Sequence, residues 1–476
     1  MIVTRFYEPT IAQASYLIGC AATGEAIVID PNRDVERYID TAAREGLAVT
    51  HVTETHIHAD FLSGARELAA RTGARLYLSD EGDKDWKYQF ASEGALIRHG
   101  DRIKVGNILV DVVATPGHTP EHLTFLITDS AAADKPIAAA TGDFVFVGDV
   151  GRPDLLERAA NIKGTMEKGA RTLWKSLQAF NQNEEWLQIW PGHGAGSACG
   201  KGISAVPYST LGYERRFNWA FKVKTEDDFV ASVLAGQPEP PKYFAMMKHL
   251  NKVGPRVLGG FHAPSRLDDH RLPSLLTAGA IVVDTRPAGV YAAAHLPGTV
   301  NIPLGGSFVT WAGWLLPYQT DLYFIVDDLT EANTVELVRQ LALIGLDQVA
   351  GIFEGHAVQH LAERGAHLAT VPQVTVDELA TRVKARDTFV LDVRSASEWQ
   401  GGHIPSATHI PLGYLNDRLA EIPADRPVIV QCQAGARSAI AASVLRRAGR
   451  SNVQNLAGGF ASWQGAGLPV EMPASS

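Results

Sequence analysis

The stretch "ETHIHADFLSG", residues 54–64, sets His56, His58 and Asp60 on one short segment. Imidazole and carboxylate at such close spacing are what a divalent metal needs. The run "AVTHVTETH" leading into it reads as a buried strand, so His56 and His58 leave one strand end and point into one cavity. The frame is H-x-H-x-D-H, except that Phe61 stands where the last histidine belongs. The question is whether this phenylalanine destroys a metal site or selects one.

Further ligand types recur at the ends of other strand-like runs: His118 in "TPGHTPEH", Asp143 in "TGDFVF" and His193 in "WPGHG". Any one histidine is ordinarily a packed or surface residue. With His56 and His58 they make five such groups at strand ends, which read together as a metal site. Around them "EAIVID" reads as a buried strand and "DVERYIDTAAREG" as a helix with a Gly end. "DRIKVGNILVDVVATPGH" reads as two strands joined at a Gly-Asn turn. The breaker-rich segments "GQPEPPKY" and "NKVGPRVLGG" place the end of this domain near residue 255.

Beyond it the chain repeats itself. "VVDTRPAGVYAAAHLPGTVNIPLG" from Val282 matches "VLDVRSASEWQGGHIPSATHIPLG" from Val390, with Asp284, Arg286, His295 and Pro297 all offset by 108 from their partners. Downstream, "YFIVDDLTEANTVELV" aligns with "PVIVQCQAGARSAIAA" at an offset of 104. The expected division is 1–255, 256–368 and 369–476. That agrees with the three domains that 476 residues suggest at about 150 residues each.

In "VIVQCQAGARSAIAA" a buried strand ends at Cys432, and Arg437 follows five residues later at the start of a helix. Such a loop aims backbone N–H groups inward, which lowers a thiol pKa and stabilises an anionic sulfur species. The middle copy has Asp328 and Asn333 at these two places, so it cannot form a cysteine persulfide.

A net charge of -9, from 43 basic and 52 acidic residues without a Lys/Arg run, argues against nucleic acid as the main partner. No run of 18 apolar residues suggests a membrane span, and the start has no signal-peptide pattern. Three cysteines far apart, Cys20, Cys199 and Cys432, are no disulfide framework and fit a reducing cytoplasm.

The metal motifs resemble those of the metallo-β-lactamase superfamily over about residues 1–240. The resemblance implies an αββα sandwich with the metal at one edge between two sheets. Most members are hydrolases with two zinc ions. Their second metal uses the Asp and final His of the first motif, a bridging Asp and a late His. Here Asp60, Asp143 and His193 match, and Phe61 leaves that site a ligand short. The departure favours the one-iron branch, the persulfide dioxygenases. By resemblance to them, His56, His118 and Asp143 would bind one Fe(II) per chain. His58, Asp60 and His193 would be hydrogen-bonding neighbours or alternative ligands. Arg152, in "GDVGRPDLL", would meet a carboxylate or phosphate on the thiol carrier, or else form a structural ion pair. Cys199 would lie near the active site, or be a small buried thiol.

The third domain, with Cys432, Arg437, "LDVR", "GGHIPSATHIP" and "NLAGGFASW", resembles a rhodanese, an α/β domain with a parallel sheet. The middle copy reads as an inactive rhodanese-like domain. The resemblance to bacterial persulfide dioxygenase–rhodanese fusions implies oxidation of a small persulfide by O₂ to sulfite and thiol. At Cys432 it implies sulfur transfer that makes or uses thiosulfate, in the cytoplasm of a cell handling sulfide. A dimer or tetramer is expected by the same resemblance. The alternatives are a di-zinc thioester hydrolase of the glyoxalase II type and a sulfur-binding module without turnover.

Overall fold

Runs of β-branched and apolar residues separated by Gly and Asp turns build the first half of the chain into strands. A computed structural model describes residues 1–155, 157 and 164–473. It forms two compact units: Met1–Phe261 with Arg339–Gly345, and His262–Val338 with Leu346–Ser476.

The first unit holds two six-stranded sheets. One runs β1 (Ile2–Glu8), β2 (Gln13–Cys20), β3 (Glu25–Ile29), β4 (Ala48–Thr53), β5 (Arg75–Ser79), β6 (Ala95–Ile97) in spatial order. Its first three strands are antiparallel and the remainder parallel. The other sheet takes β7 (Arg102–Val105), β8 (Ile108–Ala114), β9 (Leu123–Asp129), β10 (Ala138–Gly142), β11 (Gln188–Pro191) and β12 (Ser209–Thr210) in reverse order. β7 and β8 are the hairpin expected at the Gly-Asn turn.

The sheets share a core in which Tyr16, Ile18, Ile29, Val110, Phe125 and Trp190 interdigitate. On the outer face of the first sheet, the helices Glu36–Arg44 and Ala65–Thr72 bury Tyr38, Ala42 and Leu68. On the outer face of the second, Met166–Phe180 buries Leu173 and Leu177 beside Phe229 and Val233 of Glu226–Leu234. This is the αββα sandwich: each sheet buries both faces, one against the other sheet and one against helices.

The second unit contains two all-parallel sheets. One has the order β14 (Val300–Asn301), β13 (Ile281–Asp284), β15 (Leu322–Val326), β16 (Val349–Glu354). The other has β19 (Thr408–His409), β18 (Phe389–Asp392), β20 (Val428–Gln431), β21 (Val453–Leu456), β17 (Gln373–Val374). A parallel bridge from Arg266 to Ile352 takes the place that β17 fills beside β21, so the two copies share one five-position strand order. Strands buried by helices on both faces read as continuous apolar runs, such as "VIV" before Cys432. No helix among the described residues is long and apolar enough to cross a membrane.

Candidate metal centre and cysteine loop

The metal-ligand candidates come from loops just past β4, β8, β10 and β11, and all of them are buried. His56, His118 and Asp143 place one donor atom each within 4.8 Å of one another. His118 Nε2 lies 3.5 Å and His56 Nε2 4.0 Å from Asp143 Oδ2. His56 Nε2 and Asp143 Oδ2 have no hydrogen-bond partner. A buried polar atom left unpaired is costly, so their convergence fits a bound cation.

The neighbouring groups fix which nitrogen is free. His118 Nδ1 is 2.9 Å from the Arg152 carbonyl oxygen, which only accepts, so Nδ1 carries the proton and Nε2 the lone pair. Thr55 donates its hydroxyl proton to Asp30 Oδ2 at 2.8 Å, so its oxygen accepts from His56 Nδ1 at 2.9 Å. Both imidazoles thus turn Nε2 toward Asp143, the arrangement that orients metal-binding histidines. Burial lowers the pKa of both rings and keeps them neutral, as ligands must be. Burial works to raise the Asp143 carboxyl, but His193, His118 and His56 hold it well below the usual carboxylate range.

The backbone must come close here. Gly151 passes so near that a Cβ on it would sit 1.7 Å from the Asp143 carbonyl oxygen and 3.2 Å from His118 Cβ. Glycine is therefore required between the two ligand loops.

The remaining candidates have other partners. His193 Nδ1 faces Asp143 Oδ1 at 2.7 Å and its Nε2 faces Asp60 Oδ2 at 2.6 Å. With an acceptor on each nitrogen, both must donate. Burial opposes this charge, but Asp143 and Asp60 hold the ring cationic, well above its ordinary pKa. Asp60, His193 and Cys199 make a second buried cluster whose donor atoms also lie within 4.8 Å of one another. Burial, with Asp60 and Asp143 adding to it, keeps the Cys199 thiol protonated. His58 turns Nε2 to Asp30 Oδ1 at 3.1 Å and belongs to neither cluster. Asp30 offsets the burial of His58 and raises its pKa to about 9. The Phe61 ring packs 4.4 Å from that of His58 and is fully buried.

Arg152 differs from the expectation that it meets substrate. It is completely buried, and its Nε and Nη2 both donate at 2.8 Å to Asp154. Nη1 donates to the Ala198 carbonyl oxygen at 2.9 Å. The guanidinium is committed to the ion pair and to the loop carrying Cys199, while its carbonyl orients His118. Buried arginines are paired for this reason.

Two residues missed from sequence support the centre. His122 Nε2 accepts the Asp143 backbone N–H at 3.1 Å, and burial lowers its pKa to about 3, which preserves that lone pair. It is the second histidine of "TPGHTPEH". Asp30, at the end of β3 with φ of 53°, gathers Thr55 N–H at 2.6 Å, the Thr55 hydroxyl and His58. A non-glycine residue in that region is held there by its surroundings.

At the other site, Cys432 directly follows β20 and is buried. The Gly435 backbone N–H donates to its Sγ at 3.1 Å, and the Ser438 hydroxyl lies 3.5 Å away. The helix Ala436–Arg447 starts immediately beyond, so its N-terminus faces the sulfur. Arg437 is clamped by Glu398, Nη1 to Oε2 at 2.7 Å and Nη2 to Oε1 at 2.6 Å. Glu398 also escaped notice in the sequence. Its signal is the capping box with Ser395 that opens the helix Ala396–Gln400. A Cβ on Gly459 would stand 2.2 Å from the Cys432 carbonyl oxygen, so glycine is needed at that approach too.

The described geometry agrees with what the chain is similar to. The metallo-beta-lactamase superfamily model matches residues 10–193, and the rhodanese-like domain model matches residues 375–466. The crystal structure of a metallo-beta-lactamase from Staphylococcus aureus is 40% identical, with a TM-score of 0.66, over 74% of this chain and 99% of that one. A hydroxyacylglutathione hydrolase of Nitrosococcus oceani is 37% identical over 138 residues, 29% of this chain. The chain spans about half of that relative's length, 49%. A sulfurtransferase of Allochromatium vinosum is 36% identical over 104 residues, 22% of this chain and 97% of that protein. The middle copy shares the strand order of the C-terminal domain and repeats its sequence. The chain belongs to the metallo-beta-lactamase superfamily and carries a C-terminal rhodanese-like domain.

Proposed function

We propose that this chain oxidises a low-molecular-weight persulfide at a single iron(II) and carries sulfane sulfur on Cys432. The observation that carries the reading is the state of His193. Both its nitrogens are taken by Asp60 and Asp143, while the donor atoms of His56 and Asp143 beside it stand unpartnered. That arrangement supports one metal at His56, His118 and Asp143, a set of two histidines and one carboxylate. Iron(II) held there would supply open positions that bring a persulfide sulfur and O₂ together.

The chain's own residues do the rest. Thr55 and the Arg152 carbonyl fix the ligand tautomers. His122 and His193 hold Asp143 from two sides. The burial of the ligand loops keeps water from the reacting sulfur. One persulfide, one O₂ and one water give one thiol and one hydrogensulfite. At Cys432, the thiolate takes the outer sulfur of a sulfane donor and releases the donor's remainder. A sulfite acceptor then attacks that sulfur, forms thiosulfate and returns the thiolate. Gly435 N–H and Arg437 stabilise the anionic sulfur in both directions.

A second reading draws on the Asp60–His193–Cys199 cluster. Were it to hold a metal, the site would suit di-zinc thioester hydrolysis; the Nitrosococcus relative is named a hydroxyacylglutathione hydrolase. Metal content of protein purified without added metal, paired with oxygen uptake on a panel of persulfides, separates the two. One iron with oxygen uptake is expected. Two zinc with thioester cleavage and no oxygen uptake selects the second reading. Oxygen uptake surviving in Asp143→Ala rules out the iron assignment.

A further inference from the structure

The middle copy has lost its cysteine chemistry, yet it carries a ligand cluster of its own. His356 and His360 stand four residues apart on one face at the start of the helix Ala357–Glu363. Their rings lie 4.3 Å apart. Asp269, on a short turn that packs beside this helix, places Oδ2 at 3.2 Å from His360 Nδ1. One donor atom from each of the three lies within 4.8 Å of the others.

We propose that Asp269, His356 and His360 form a second metal site, for a divalent ion of the zinc type. Two imidazoles four apart on a helix can grip one ion, and a carboxylate completes a borderline donor set that leaves a position for water. With ligand bonds of about 2.0–2.1 Å, adjacent ligands of a tetrahedral ion stand about 3.3 Å apart. The His360–Asp269 separation of 3.2 Å already matches that spacing.

Glu354 supplies independent support. Its Oε1 is 3.3 Å from His356 Nδ1, which draws the ring proton to that nitrogen and leaves Nε2 for the metal. Arg266 pairs with the other oxygen of Glu354 and holds that carboxylate in place. The same positions in the C-terminal copy, by the offsets of 108 and 104, are Asp377, Phe460 and Gln464. That copy keeps the carboxylate and has neither histidine, so the cluster is particular to the middle one. An ion here would tie the turn at Asp269–Arg271 to the helix behind β16. His356 and His360 have side chains 45% and 48% exposed, so an ion would enter from solvent without unfolding.

The test uses the full-length, iron-loaded chain with any affinity tag removed, titrated with zinc chloride by equilibrium dialysis. Wild type is expected to take up one more zinc per chain than H356A/H360A or D269N. E354Q is expected to keep the site with affinity lowered about tenfold, the usual cost of losing a group that orients a ligand histidine. Cobalt(II) should give wild type a visible tetrahedral band that H356A/H360A lacks, with oxygen uptake the same in both. Because the substituted side chains are exposed, melting temperatures before zinc is added should coincide, and zinc should raise that of wild type further than that of H356A/H360A. Equal zinc uptake by wild type and H356A/H360A overturns the proposal.

Discussion

The two copies in the second unit are one scaffold with two different loop tips. Asp284–Arg286 and Asp392–Arg394 form the same ion pair, Nη2 to Oδ2 at 2.6 and 2.7 Å. Each arginine also caps the carbonyl at the matching position, Ala294 or Gly402. His295 stacks on Tyr291 as His403 stacks on Trp399. The tips then part. In one, Cys432 is buried under Gly435 N–H and Arg437 is clamped by Glu398. In the other, Asp328 is exposed, accepts Thr330 N–H at 3.0 Å and takes the Asn333 amide at 2.8 Å. Val290 stands where Glu398 would. On the sulfur-transfer reading, the cysteine, arginine and glutamate that the middle copy lacks form one functional unit, whereas the shared Asp–Arg pair belongs to the fold. The middle loop turns the Thr330 N–H and the Asn333 amide onto its own carboxylate instead of onto a sulfur.

The strongest way to break the contrast is Cys432→Ser. Sulfur transfer from thiosulfate to cyanide should fall to background while oxygen uptake on a persulfide persists. Next, removing either scaffold arginine, Arg286→Ala or Arg394→Ala, leaves a buried carboxylate without its partner. Each should cost about 3–5 kcal/mol in denaturant unfolding, with the two copies alike. A smaller effect separates the tips: Glu398→Gln should slow sulfur transfer about tenfold, the scale of one charge-assisted hydrogen bond. Burial works to raise the Glu398 carboxyl, but Arg437 and Ser395 hold it down at about 2. Since that lies below the unfolded value, the pair's stabilisation is full above the ordinary carboxylate range, declines as pH falls through it and is gone below about 2. The wild-type rate should therefore show no limb from Glu398 between about pH 4 and 8. The smallest expected change is none: Asp328→Cys should yield no sulfur transfer from the middle copy, because Asn333 and Val290 remain.

Much of this was legible in the sequence because it is local or repeated. Strand ends carrying His56, His118, Asp143 and His193 show as apolar runs stopped by Gly and Pro. The offset of 108 exposes the second parallel sheet before any strand is assigned. What stayed hidden depends on which atoms meet across the fold. Arg152 sits two residues before Asp154, but whether its donors reach a ligand or that neighbour is decided by burial. His122 acts through the backbone of Asp143, 21 residues away, and no spacing rule announces such a contact. Asp30 follows β3, whereas the histidine it orients lies in the loop past β4. His193 matched a ligand motif, but only the carboxylates on both its nitrogens reveal the bridge it makes.

That bridge bears on how a one-metal and a two-metal site in this fold could be interconverted. Restoring histidine at Phe61 would return the missing letter of the motif, but His193 would still be held between Asp60 and Asp143. The change therefore runs through an intermediate that gains a polar ring in an apolar slot and still has no free second ligand. On the one-iron reading proposed above, an evolutionary or engineered path between the two chemistries must alter both positions together, and the pair of carboxylates guards the one-metal state.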